Sequence, residues 1–87
     1  MLSKVKSYLR ITSNSLDDEI NDSIAAAIQS LKISGVTLIN ESDPLIVQAV
    51  KIYCKAQFET DVSKSEKYMQ SFELLKQSLS LSSDYSL

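Results

Sequence analysis

Asp43-Pro44-Leu45-Ile46-Val47-Gln48-Ala49-Val50-Lys51-Ile52-Tyr53-Cys54-Lys55-Ala56-Gln57-Phe58-Glu59-Thr60-Asp61 is the stretch whose reading decides the fold. It opens with a helix-start signal. The Asp43 carboxylate can accept from the first orphan amides, and Pro44 stands where its missing N–H costs nothing. At 100° per residue, Gln48, Lys51, Lys55 and Glu59 fall into one narrow polar stripe. Ile46, Ala49, Val50, Tyr53, Cys54 and Ala56 spread over most of the remaining circumference, with Ile52 and Phe58 on the two flanks of the stripe. That apolar arc is wider than a surface helix needs. The expectation is a helix central in its own bundle, touched by another subunit, or both.

Working towards the N-terminus, the only glycine, Gly35, is the natural left-handed stop of a preceding helix. That helix is expected over Leu16 to Ile33. Leu16, Ile20, Ile24, Ala27, Ile28 and Leu31 share one face, and Asp18, Asn21, Asp22, Gln29 and Lys32 share the other. Ser15 is expected to cap it, with the carboxylates of Asp17, Asp18 and Glu19 complementing the helix dipole. Ala25 and Ala26 lie off the core face, where small side chains admit another backbone. Before it, Leu2, Val5, Tyr8 and Leu9 predict a short amphipathic helix, ended by Thr12-Ser13-Asn14-Ser15. Val36 to Ser42 reads as a loop with apolar anchors.

Towards the C-terminus, Ser63-Lys64-Ser65-Glu66 fits a capping box. The fourth helix is expected over Lys64 to Leu79, with Tyr68, Met69, Phe72, Leu75 and Leu79 on one face and Leu74 pointing elsewhere. The pattern as a whole predicts an all-α fold, a small bundle of about four helices with a central helical hairpin. Residues 1–79 form a single domain in this reading, and residues 80–87 a flexible serine-rich tail carrying Leu81 and Tyr85.

Composition limits the chemistry. The 87 residues include one cysteine, Cys54, and no histidine. An intramolecular disulfide, a Cys/His zinc site and a His-activated nucleophile are therefore excluded. No catalytic, cofactor-binding or metal-binding residues are assigned, and the chain is expected not to be an enzyme. A net charge of −2 with no basic face argues against nonspecific phosphate binding. No apolar run is long enough to span a membrane, and no signal peptide opens the chain. The acidic cluster at Asp17 to Glu19 is accounted for by capping and dipole effects. Gln57 falls by angle in the middle of the apolar face, beside Val50 and Tyr53. It is read there as a satisfied buried amide, as a local deviation in helix phase, or as a hydrogen bond across a subunit boundary. One further triplet, Asp22-Ser23-Ile24, resembles the attachment serine of an acyl carrier protein. In that family the serine stands at the start of a helix, whereas Ser23 falls within the strongest helical pattern. A small helical carrier or regulatory domain is accordingly the alternative function.

The order of features resembles the head–tail connector (adaptor, or head-completion) family of tailed bacteriophages and prophages. The resemblance runs through Val5-Lys6-Ser7-Tyr8-Leu9-Arg10-Ile11, then Asp17-Asp18-Glu19-Ile20 and Ile24-Ala25-Ala26-Ala27. It continues through Gly35, Asp43-Pro44, Ala49-Val50-Lys51 and Phe58-Glu59, and ends in the leucine-rich helix from Phe72 to Leu79. Many relatives carry a His-aromatic pair where this chain has Gln57-Phe58. The resemblance implies a structural part of the virion, at the head–tail interface, assembled in the bacterial host cytoplasm. It implies a homo-oligomeric ring, usually twelve copies, beneath the portal protein. Such a ring extends the channel through which DNA passes and offers a surface to the next head-completion or tail protein. Surfaces expected to meet neighbours are Ala25, Ala26, Ile52, Gln57, Phe58, Leu74, Leu81 and Tyr85.

Overall fold

The computed structural model describes residues 1–86, and Leu87 lies outside the described residues. Four helices follow one another: α1 (Leu2–Leu9), α2 (Asp17–Ile33), α3 (Pro44–Phe58) and α4 (Val62–Leu81). No strand occurs among the described residues. The helix α3 packs against all three others, which accounts for its wide apolar arc. Ile46, Ala49, Val50 and Cys54 are fully buried, and Val47 and Ala56 nearly so. Its start is built as the sequence predicts. Asp43 is extended (φ −69°, ψ 126°), and its Oδ1 accepts from Leu45 N at 2.8 Å and Ile46 N at 3.4 Å.

The core has two parts, one towards each end of α3. In the first, Val5 of α1 meets Ile20, Ile24 and Ala27 of α2 and Val50 and Cys54 of α3. In the second, Leu31 and Val36 meet Ile46 and Ala49 of α3 and Phe72 and Leu79 of α4. Tyr53 joins the two; its ring stands edge-on to Phe72, centroids 5.1 Å apart at 65°. Such pairs add about 0.5–1.5 kcal/mol beyond the area they bury.

Helix ends follow local chemistry, with two departures from the sequence reading. Gly35 (φ 104°) closes α2 as expected. Its N–H donates to the Lys32 carbonyl at 3.1 Å, and Val36 N–H to the Leu31 carbonyl at 3.0 Å. This is the paired-bond stop in which the buried Val36 and Leu31 supply the accompanying apolar contact. Arg10 repeats the device at the end of α1 with no glycine. At φ 60°, ψ 39°, it donates to the Ser7 carbonyl, and Ile11 N–H donates to that of Lys6.

Ser15 does not cap α2. The N-cap is Leu16, which makes no side-chain cap bond. The Ser15 N–H donates to Ser13 Oγ at 3.1 Å, and Ser13 Oγ donates to Ser15 Oγ at 3.0 Å. That local turn consumes the hydroxyl and leaves the half-buried Leu16 to pack on the first core. The Ser63 capping box does not form either. Asp61 caps α4 two residues earlier, accepting from Lys64 N at 3.1 Å, so the helix starts at Val62. Ser65 Oγ instead donates to the Ala56 carbonyl at 2.8 Å, satisfying an orphan acceptor in the last turn of α3. At its other end α4 runs to Leu81, so Ser80 and Leu81 are helical. Beyond it, the amides of Thr37 and Leu38 donate to the Tyr85 carbonyl at 2.9 and 3.0 Å.

Candidate functional site

The polar stripe of α3 lies against neighbouring rings. Lys51 Nζ sits 5.2 Å from the Tyr8 ring centroid, and Lys55 Nζ 5.9 Å from that of Tyr68. Both cations cover aromatic faces while their stems pack on the bundle. Cys54 is fully buried, and burial pushes its thiol up to about 11. It is a protonated core side chain at neutral pH and not a nucleophile. Ser23 lies half-buried inside α2, next to the buried Ile24. A serine that presents a prosthetic arm needs the open start of a helix, and Ser23 has no such place. Among the described residues no group of three or more His, Cys, Asp or Glu side chains could hold a metal ion. No helix is long and apolar enough to cross a membrane.

What the fold presents instead is apolar surface in separate places. Leu74 and Leu81 lie seven residues apart on α4, hence on one side of the helix, and are 66% and 87% exposed. Beside Leu74, an open groove of about 550 Å³ runs along Met69, flanked by Glu66 and Glu73. Glu73 is partnered by Lys76, whose Nζ lies 2.9 Å from Oε2 and also donates to Ser30 Oγ at 3.3 Å. Ala25 and Ala26 are exposed on the outer side of α2, with Ile33 near its end 77% exposed.

The remaining residues expected at interfaces fall differently. Ile52 and Phe58 are half-buried and pack on the chain's own second and first core clusters. Gln57 is exposed, so it is not a buried amide of this bundle. Its angle on α3 is that of Val50 and Tyr53, but it stands in the last turn of the helix. Tyr85 is half-buried against the second core. Its hydroxyl donates towards the Asp43 carboxylate, at 3.1 Å from Oδ1 and 3.0 Å from Oδ2. Burial, and then this bond, raises the phenol above its ordinary range. The structure thus brings Leu74 and Leu81 onto one face and leaves Ala25 and Ala26 on another.

Sequence reasoning missed four exposed apolar side chains: Ile33, Val62, Leu38 and Leu45. Ile33 stands off the α2 core angle, a legible signal. Val62 becomes visible only once Asp61 is recognised as the cap. Leu38 and Leu45 flank the Asp43–Tyr85 contact, which no local pattern announces.

Comparison with known proteins gives one result. The family model described as phage connector protein matches residues 1–86. No curated protein and no solved structure gives a significant match.

Proposed function

Because the chain belongs to the phage connector protein family, we propose that it works as a head–tail connector, a structural and non-enzymatic part. Copies assemble in the host cytoplasm as a ring beneath the portal protein, twelve of them in the virion, extend the DNA channel, and present a surface to the next head-completion or tail protein. The family match across residues 1–86 carries this reading.

The surface supports it. The bundle closes its own core and still leaves Leu74, Leu81, Ile33 and Val62 largely outside. Leu74 and Leu81, large, exposed and on one side of α4, mark a surface that another protein covers. Ala25 and Ala26, exposed on α2, suit close approach of a neighbouring backbone. The net charge of −2 suits a conduit that guides DNA without gripping it, since each added phosphate contact would deepen binding. The C-terminal segment after α4, residues 82–86, is the part that rearranges on docking. Its described bonds to the loop after α2 and to the start of α3 all run through Tyr85.

Electron microscopy of particles made without this chain tests the proposal. The expected particles are filled heads lacking tails, or heads that leak DNA. Normal tailed virions would contradict it.

A further inference from the structure

We infer that the valley between α1 and α4, floored by the polar stripe of α3, binds the phosphate backbone of DNA without reading its sequence. The choice of DNA rests on the connector reading above, which brings DNA alongside the chain; the basic face itself does not.

No run of the sequence is basic, but the fold assembles a basic face from three helices. Both α1 and α4 pack against α3, and they share no packed interface with each other. Lys51 leans towards α1, its Nζ 5.2 Å from the Tyr8 centroid, and Lys55 towards α4, its Nζ 5.9 Å from that of Tyr68. Lys4 stands four residues before Tyr8, and Lys64 four before Tyr68, so each shares the side of its helix that carries the tyrosine. Lys4 and Lys64 are exposed, Lys51 and Lys55 half-buried. None of the four forms an ion pair among the described residues.

The acids are few here, or lie elsewhere. No acid occurs in α1. Glu59 and Asp61 stand at the turn into α4, beside Lys64, and both are turned to backbone amides. Glu59 Oε1 accepts from Asp61 N at 3.2 Å, and Asp61 Oδ1 from Lys64 N at 3.1 Å. Four lysines against these two acids leave the face with a charge of +2. Glu66 and Glu73 line the groove beside Leu74 instead, Glu66 about 160° round α4 from Lys64. Leu31 of α2 and Ile46 of α3 share the second core. Nine residues from each, hence about 180° round its helix, stand Asp22 and Lys55. The acidic outer side of α2 and the lysines therefore lie on opposite surfaces, two helix diameters or about 20 Å apart. That is more than twice the Debye length at physiological salt, so Asp18, Glu19 and Asp22 do little to cancel the face.

The chemistry of the face selects its occupant. Lysine offers a point charge without the fork of arginine, so it neutralises phosphates without reading bases. Lys51 and Lys55 stand one turn apart, about 6 Å along the axis, and can meet separate phosphates. A protein partner needs apolar anchors at the centre of its patch. None of the exposed large apolar side chains belongs to the stripe among the described residues. A duplex needs no such anchor. Four contacts also grip weakly, which suits DNA that has to pass.

Fluorescence anisotropy of a short labelled DNA duplex, titrated with the full chain up to millimolar, tests the site. Four phosphate contacts give a slope of log K against log salt of about −3.6, so binding should be about 50-fold tighter in 50 mM than in 150 mM salt. Lys51→Gln and Lys55→Gln should each reduce that ratio to about 20-fold, and Lys51→Arg should keep it. Lys32→Gln removes an exposed lysine of α2 outside the face and should leave the ratio unchanged. Melting curves check that each variant folds. No binding in 50 mM salt would overturn the site. So would equal losses from Lys32→Gln and Lys55→Gln, or tighter binding of polyglutamate than of DNA at equal charge, which would assign the face to an acidic protein. None of these outcomes touches the connector role, which particles made without the chain decide. Normal tailed virions together with lysine-dependent DNA binding would remove the connector role and keep the site.

Discussion

Replacing Arg10 by glycine should make the protein more stable. Arg10 ends α1 with φ 60° and ψ 39°, the left-handed conformation in which a Cβ crowds the following carbonyl. For a residue with a side chain that conformation costs about 1–2 kcal/mol. Glycine removes the crowding but gives the unfolded chain more freedom, which costs about 0.4–1 kcal/mol. The side chain at position 10 is exposed and without an ion pair among the described residues, so its loss removes little else. The net expectation is a gain of about 0.5–1 kcal/mol. A domain of this size converts each kcal/mol into about 4–8 °C of Tm, so the midpoint should rise by about 2–8 °C. Arg10→Ala is the control: it removes the same charge and keeps the Cβ, and should stay within about 0.5 kcal/mol of the parent. Thermal and urea unfolding of the three proteins measure this. A glycine variant no more stable than the alanine variant would refute the argument, because the strain would then not be there to relieve.

Phe72→Ala should cost about 3–5 kcal/mol, because Phe72 is the largest fully buried side chain and meets Tyr53 edge-on; a shift of the urea midpoint measures it. Asp43→Ala should cost about 1 kcal/mol through the lost cap alone, and should speed amide exchange at Thr37 and Leu38 by loosening Tyr85, whereas Asp43→Asn should keep most of the cap. Stability should be flat from neutral pH to about 9 and fall above it. The thiol of Cys54 is raised from 9.0 to about 11 and the phenol of Tyr85 is raised above 10.0, so the unfolded chain releases these protons first and the native state loses ground as pH climbs through the folded values. Cys54→Ala should move the onset of that fall above pH 10. At neutral pH the native thiol should react with a disulfide reagent only as fast as the helices open, and a rapid reaction would mean Cys54 is not in the core.

Residues whose chemistry acts on their own neighbours were legible in the sequence. Asp43-Pro44 starts a helix and Gly35 ends one, and the apolar angles of α2 and α3 describe the faces that are buried. Where two groups compete, sequence alone did not choose. Ser63 and Asp61 both offer an oxygen to the start of α4, and the carboxylate takes it while Ser65 turns to the Ala56 carbonyl. Ser15 loses to a bond with Ser13 that leaves Leu16 free to pack. Gln57 has the angle of buried residues, yet in the last turn of α3 it is exposed. Arg10 stands in a role normally taken by glycine, and nothing in Leu9-Arg10-Ile11 betrays that. The contact between Tyr85 and Asp43 spans the length of α3 and α4 in sequence, so only the folded chain reveals it. The exposed surface was legible in part: Ala25, Ala26 and Leu74 could be placed by helical phase, Leu81 was read in a tail beyond a helix that in fact includes it, and Leu38 and Leu45 depended on that long-range contact.

The most direct trial is to image portal rings of the same phage by cryo-electron microscopy after incubation with the purified chain. A closed ring of four-helix subunits seated beneath the portal and continuing its channel is the predicted density. Bare portals at saturating protein would contradict the connector role.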